Sequence, residues 1–327
     1  MKVLVTGGSG FIGSHVVDQL LVAGHEPVIF DFAQSVHHPP TEVKTILGDI
    51  ADRDTAWRAV HGCDAIIHLA AVADVSDVVA DPLRADRTNV HGTQIILDAA
   101  RHGDISRVVY GSTVWVYGDS PGEQPLDEGA PLALPAHFYT ATKLAGEMYC
   151  RSYTSLYGTP HTILRFGIPY GPRARPAAVV PSFVARAQEG KALTIAGDGR
   201  QTRQFVYVED LAAGIVAGLA ATGANGIYNL VGDEQTSVRQ IADTIREVVK
   251  QVPLVHGPER PADVHIGYIS GARAKADLGW EPQTPFLDGV RRYVDWLATT
   301  NGSPLADTAS SIDGSAATVL RQESAEL

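Results

Sequence analysis

Thr6-Gly7-Gly8-Ser9-Gly10-Phe11-Ile12-Gly13 follows the apolar run Val3-Leu4-Val5 and opens a segment with helical apolar spacing from Ile12 to Val22. Gly7 allows a tight turn out of a strand. Gly10 has no side chain to block a pyrophosphate, and Gly13 lets a helix pack close to a sheet. The first helical residues, Phe11, Ile12 and Gly13, then offer backbone N–H groups to phosphate oxygens. Glycine-rich turns are common, so this reading needs a second signal. The run Val28-Ile29-Phe30 ends at Asp31, 18 residues past Gly13. A carboxylate there accepts both adenosine ribose hydroxyls and repels a 2′-phosphate. No Arg or Lys lies between Asp31 and Pro40. The pattern predicts NAD rather than NADP.

Working outward, Ala65-Ile66-Ile67 and Val108-Val109-Tyr110 are further short apolar runs, and Asn89 to Ala100 has helical spacing. Strands alternating with helices predict an α/β fold with a Rossmann-type doubly wound parallel sheet. After about residue 172 the rhythm changes, broken by Pro176, Pro181 and the turn Gly197-Asp198-Gly199. The expected division is an NAD-binding domain over 1–172, with some later segments returning to it, and a smaller C-terminal α/β substrate lobe over 173–300, partly interleaved. Residues 301–327, rich in Ser, Ala, Thr, Gly and Asp, read as a flexible tail.

Composition excludes several classes. The formal net charge of −11 argues against nucleic acid, whose phosphates want a basic face. Cys63 and Cys150 are far apart with no CxxC and no His cluster, so they read as core thiols with no metal site. No apolar run approaches the roughly 20 residues of a membrane span, and no leader is visible, so a cytoplasmic protein is expected.

Two further groups carry chemistry. Tyr139-Thr140-Ala141-Thr142-Lys143 puts a phenol and an ammonium on one helix face. A nearby Lys⁺ and a positive nicotinamide ring both favour phenolate, which makes Tyr139 a usable base. The run ending at Gly111 continues into Ser112-Thr113, and strand ends in such sheets line the ligand crevice. Thr113 is placed to bind the reacting oxygen and relay its proton to Tyr139. Asp49-Ile50, after a third strand, is a candidate for the adenine edge, although Gly48-Asp49 is also ordinary turn chemistry.

These segments together resemble the extended short-chain dehydrogenase/reductases, in their nucleotide-sugar epimerase and dehydratase branch. The resemblance runs through nearly all of residues 1–300. It includes His68-Leu69-Ala70-Ala71, Asn89-Val90-His91-Gly92-Thr93, Thr113 before Tyr117-Gly118, Tyr139 with Lys143, Tyr170-Gly171-Pro172, the run Gly197 to Asp210, Arg260-Pro261-Ala262-Asp263 and Leu278-Gly279-Trp280-Glu281-Pro282. It implies Thr113, Tyr139 and Lys143 as catalytic residues, with Ser112 beside them at the substrate. It adds Leu69, Ala70, Ala71 and Asn89 to the cofactor site. Arg203 and Arg260 would bind the nucleotide pyrophosphate and Asp263 the ribose. A homodimer through the helices of Asn89–Ala100 and Lys143–Tyr157 is implied in the same way.

Departures narrow the reaction. The 4,6-dehydratases carry Asp and Glu between that Thr and the Tyr-Gly pair, and UDP-glucuronate decarboxylases carry a Glu two before that Tyr. Val114 and Trp115 stand there, and neither moves a proton. Ile168 replaces an Asn that in many relatives contacts the substrate diphosphate. Arg173-Ala174-Arg175-Pro176 is similar to the Arg-x-Arg-Pro of UDP-glucuronate 4-epimerases, in which the second Arg meets the substrate carboxylate; an ordinary charged loop reads equally well from the residues alone. The expectation is an NAD-dependent C4 epimerase of a UDP-sugar, with UDP-glucuronate ahead of UDP-glucose. The alternatives are a nucleotide-sugar 4-ketoreductase or dehydrogenase with net NAD turnover, and a non-catalytic NAD-binding regulator.

Overall fold

The computed structural model describes residues 1–300 apart from 121, 123, 136 and 259–265. Seven parallel strands form the main sheet: β1 (Lys2–Thr6), β2 (Glu26–Asp31), β3 (Lys44–Leu47), β4 (Ala65–His68), β5 (Arg107–Thr113), β6 (His161–Phe166) and, after three strands of the smaller lobe, β10 (Gly226–Leu230). Their order is β10-β6-β5-β4-β1-β2-β3. Chain order reverses between β1 and β4, which is where such sheets open a ligand crevice at their carboxyl ends. The four expected strand runs lie in β1, β2, β4 and β5.

Helices α1 (Phe11–Val22), α2 (Arg53–Val60), α3 (Val75–Ala80), α4 (Pro82–Asp86), α5 (Gly92–His102) and α6 (Phe138–Tyr157) connect the sheet in its first half. Both sheet faces are covered, so neighbouring strand residues pack in opposite directions. Val3, Val5, Ile67 and Val109 meet Val16, Val17 and Leu20 of α1. Leu4, Ile66 and Val108 meet Ala56 and Ala59 of α2, Ile96 of α5 and Cys150 of α6.

The expected helix over Asn89–Ala100 differs at its start. A π-helical turn spans Arg87–His91 before α5 begins at Gly92. The widened turn admits Asn89 to the interior, where it finds partners described below.

The remaining strands are β7 (Ile168–Tyr170), β8 (Leu193–Ala196), β9 (Thr202–Tyr207), β11 (Gln235–Ser237) and β12 (Leu254–Gly257). They form a β11-β9-β7 sheet and a β12-β8 pair. Helices α7 (Val179–Gln188), α9 (Val238–Val248) and α10 (Phe286–Thr299) pack there through Val184, Ile241 and Val290, while α8 (Val208–Ala217) packs on the main sheet. Gly167 alone separates β6 from β7, so the smaller lobe starts directly above the carboxyl end of the main sheet. Among the described residues, no helix is long and apolar enough to cross a membrane.

Candidate functional site

The turn between β1 and α1 is built for an anion. Gly7 has a φ of +72°, which favours glycine. A Cβ on Gly13 would lie 2.1 Å from Gly7 O, so no larger residue fits without moving the turn. Gly10 begins α1 without a side-chain cap hydrogen bond, and the first turn holds no acidic residue. Nothing there competes with a phosphate for the dipole of the helix. Asp31 ends β2 and is nearly buried. Its carboxylate accepts Ser9 N–H at 3.0 Å and Ala33 N–H at 3.3 Å. Burial pushes its carboxyl above the usual range, against the pull of these N–H groups. Ribose hydroxyls would supply the further donors such a group favours. Turn, helix terminus and carboxylate together fit a dinucleotide with an unphosphorylated ribose.

Loop residues after β4 are positioned by a buried hub. Thr6 Oγ1 lies 2.7 Å from His68 Nδ1 and accepts the N–H groups of Leu69 and Ala70 at 3.2 Å. His68 Nε2 lies 2.9 Å from Thr93 Oγ1. Burial lowers the His68 pKa to about 3, so the imidazole is neutral and works as a strut. Ala71 continues this loop, half-buried.

The side chains of three residues expected at the cofactor site have partners within the protein. Asn89 does not present its amide to the crevice. Its Oδ1 accepts Val72 N–H at 2.7 Å, and its Nδ2 donates to Val72 O and Thr142 Oγ1, each at 3.0 Å. It acts on the site indirectly, by tying the loop after β4 to α6. Ile50 turns its side chain into the core beneath Gly92, whose Cβ would lie 2.7 Å from Ile50 Cγ2. Asp49 is half-exposed and pairs with Arg87 at 2.8 Å, so its carboxylate already has a cation.

The expected catalytic residues meet where β5 ends and α6 begins. Lys143 Nζ donates to Gly111 O at 2.9 Å. The rings of Trp115 and His137 lie 5.4 Å apart. Contacts 111–143 and 115–137 bracket Thr113 and Tyr139, so the two hydroxyl residues lie across from each other. Thr113 Oγ1 accepts Trp115 N–H at 3.3 Å, which leaves its proton for an acceptor in the cleft. Burial pushes Tyr139 up to about 12, opposed by the charge of Arg175. Burial lowers Lys143 to about 8, close enough to neutrality for the ammonium still to dominate at pH 7. A neutral phenol is therefore the resting state without cofactor, and added positive charge is what makes it a base.

Ser112, expected at the substrate, has such a partner too: its hydroxyl is buried and donates to Glu147 Oε1 at 2.6 Å. The sequence reading missed Glu147 and Arg165, which form a buried pair beneath the site. The available signal was spacing: Glu147 follows Lys143 by one helical turn on the same face.

Toward the smaller lobe, Val114, Trp115, Ile168, Arg203, Gln235 and Ile266 line one cavity. The structure thus brings Arg203 and the departure Ile168 to the residues that follow Thr113. Gln204 holds this wall, donating to Ile269 O at 2.9 Å and accepting Ile269 N–H at 2.6 Å. Arg175 pairs with Asp74 at the start of α3. Arg260, Asp263 and the tail over 301–327 lie outside the described residues.

Residues 3–231 match the Epimerase family, described as the NAD dependent epimerase/dehydratase family. The chain is 34% identical to a putative UDP-glucose 4-epimerase of Methanocaldococcus jannaschii, over 91% of this chain and 99% of that protein. The crystal structure of UDP-glucose 4-epimerase from Thermotoga maritima with UDP-glucose is similar with a TM-score of 0.87 and 31% identity, covering 92% of this chain and 100% of that one. UDP-glucuronic acid 4-epimerase from Bacillus cereus, in complex with UDP-glucuronic acid and NAD, is similar with a TM-score of 0.83 and 29% identity, covering 92% and 100%. NAD is the cofactor. With its seven-stranded sheet, its glycine turn and its Tyr139–Lys143 pair, the chain belongs to the NAD-dependent epimerase/dehydratase family.

Proposed function

We propose that this chain is an NAD-dependent C4 epimerase of a UDP-sugar, with UDP-glucuronate favoured over UDP-glucose. The observation that carries the sugar choice is Arg175, a half-exposed cation whose charge reaches the Tyr139 phenol. A cation near the C4 base is well placed for a carboxylate borne by C5, the ring carbon next to C4. The residues after Thr113 support epimerisation over dehydration, because Val114 and Trp115 offer no acid or base.

Thr113 donates to the C4 oxygen and Tyr139 accepts its proton. Bound NAD⁺ supplies the hydride acceptor, and later the hydride donor, for C4. By resemblance, Arg203 and Arg260 anchor the nucleotide diphosphate, and Asp263 the nucleotide ribose, while the flat 4-keto sugar turns. Tyr139 then returns the proton to the oxygen on the opposite face. Lys143 holds positive charge beside the phenol through both half-cycles. The protein works as a homodimer through α5 and α6, a reading supported by exposed Met148, Leu156 and Tyr157 on α6.

The test is incubation of the purified holoenzyme with a panel of UDP-sugars without added NAD, read by product NMR. Conversion of UDP-glucuronate to its C4 epimer, with no net NADH, is expected. Turnover that requires stoichiometric added cofactor would make the enzyme a ketoreductase or dehydrogenase. Conversion of UDP-glucose alone would overturn the sugar choice.

A further inference from the structure

Arg173 and Arg175 leave one short segment in opposite directions. Arg173 Nη1 pairs with Asp18 Oδ2 on α1 at 2.7 Å. Arg175 pairs with Asp74 in the segment after β4. One residue before Arg173, Pro172 O accepts the Nε2 proton of His15, also on α1, at 2.9 Å. Since α1 follows β1, residues 172–175 run from the element after β1 to the element after β4. Those strands flank the point where chain order reverses, so the segment spans the crevice that holds a dinucleotide.

Asp18 is shared between two segments. Its other oxygen, Oδ1, lies 2.8 Å from His38 Nε2, in the loop that starts at the ribose residue Asp31. Ser35 Oγ lies 3.2 Å from His38 Nδ1 and fixes that ring from behind. The same carboxylate thus holds the loop on the ribose side of the crevice and the segment across it. Arg173 has a φ of +66°, a left-handed conformation that a non-glycine keeps only when its surroundings hold it. The ion pair to Asp18 and the neighbouring Pro172–His15 contact are such holds. Sequence spacing gave no hint of this junction, because Asp18 and Arg173 are 155 residues apart.

We propose that Asp18 is a positioning residue for cofactor retention: with His38 and Arg173 it clasps the ribose loop to residues 172–175 and keeps that segment closed over the bound dinucleotide. The inference rests on NAD as the cofactor and not on the identity of the sugar. It also fits a cycle in which the cofactor is restored each turn and has no need to leave.

The experiment measures release of NAD from the purified holoenzyme after rapid dilution, with cofactor assayed in the filtrate. Melting of the cofactor-free protein is measured in parallel. Asp18→Asn and Arg173→Met are each expected to release NAD about tenfold faster or more, as for loss of one charge-assisted hydrogen bond. The double variant is expected to release it no faster than the worse single variant, because the two residues act as one clasp. Arg173→Lys keeps the charge and gives a reading if Asp18→Asn fails to fold; its release is expected to lie between wild type and Arg173→Met. Release within twofold of wild type in Arg173→Met overturns the proposal. So do single effects that add in the double variant, or a lowered melting temperature without faster release.

Discussion

Arg165 on β6 grips both carboxylate oxygens of Glu147 on α6, with Nε–Oε1 at 3.0 Å and Nη2–Oε2 at 2.8 Å. Both side chains are at most 2% exposed, so the pair is shielded from water. Ser112 Oγ adds a third bond to the same carboxylate, and Tyr117 Oη accepts Arg165 Nη1 at 3.0 Å. The pair therefore locks α6 against β5 and β6 in one register. That register sets Lys143 and Tyr139, one and two turns earlier on α6, against Thr113. Burial opposes the Arg165 charge, but the bonds to Glu147 hold its pKa above the ordinary value.

Glu147→Gln removes one charge and leaves the other buried. Breaking such a pair costs about 3–5 kcal/mol. Urea denaturation of cofactor-free protein measures it, and turnover should fall with the loss of register. A cost below about 1 kcal/mol, small beside that of a broken buried pair, would show that α6 is held by packing alone.

Tyr139→Phe keeps the ring and removes the acid/base group. Turnover should fall by roughly 10²–10⁴-fold or more, while NAD and UDP-sugar still bind. Steady-state rates and a binding isotherm on the same preparation check both halves. Near-normal turnover would remove Tyr139 from the chemistry.

Asp31→Ala should weaken NAD by about 1.5–3 kcal/mol, the worth of a charge-assisted hydrogen bond. It should also narrow the discrimination against NADP, since the repelling carboxylate is gone. Titration of both cofactors against both proteins is the check. A wild type that prefers NADP would refute the ribose assignment.

The sheet, the glycine turn, Asp31 and the Tyr139–Lys143 pair were legible because each rests on local spacing. Val3-Leu4-Val5 and Val108-Val109-Tyr110 are continuous apolar runs, as strands buried on both faces must be. The partners of Asn89 and Ser112 were not legible for one reason: the groups that claim their side chains come from distant segments. Thr142 and Val72 take Asn89, and Glu147 takes Ser112. Neither pairing has a period that sequence spacing reveals. The Asp18–Arg173 and Glu147–Arg165 pairs were silent for the same reason, since long-range ion pairs leave no pattern along the chain.

Stability should fall below neutral pH. Burial lowers the imidazoles of His15, His37 and His161 to about 4 and that of His68 to about 3. In the unfolded chain they titrate near 6.5. As pH falls from about 7 to 5 the unfolded chain takes up protons that the folded protein refuses, so protonation drives unfolding. The buried imidazoles of His15, His68 and His161 each contribute up to about 1.4 kcal/mol per pH unit once below 6.5, and the half-buried His37 less. Above 7 all four are neutral in both states and contribute no slope. Melting temperatures at pH 7.5, 6 and 5 test this, and a flat profile would mean the rings are not buried neutral.

Arg175→Ala tests the sugar choice most directly. A uronate differs from a hexose by one carboxylate, and the charge of Arg175 reaches the Tyr139 phenol. Without substrate it pairs with Asp74, so a substrate carboxylate would displace one carboxylate with another. Removing the arginine leaves the uronate in the cleft facing Asp74 with no cation between them. Truncating one side of such a pair costs about 2–5 kcal/mol. UDP-glucuronate turnover should therefore collapse, while UDP-glucose, with a neutral C6 hydroxyl, should lose little. A second readout comes from the intermediate, since a 4-keto uronate is a β-keto acid that can lose CO₂. Arg175 would restrain this by holding the carboxylate in the ring plane, where the breaking bond aligns poorly with the ketone. A pentose product from the variant, seen by NMR, would support that role. Equal losses on both sugars would instead make Arg175 a general anchor of the loop and place UDP-glucose first.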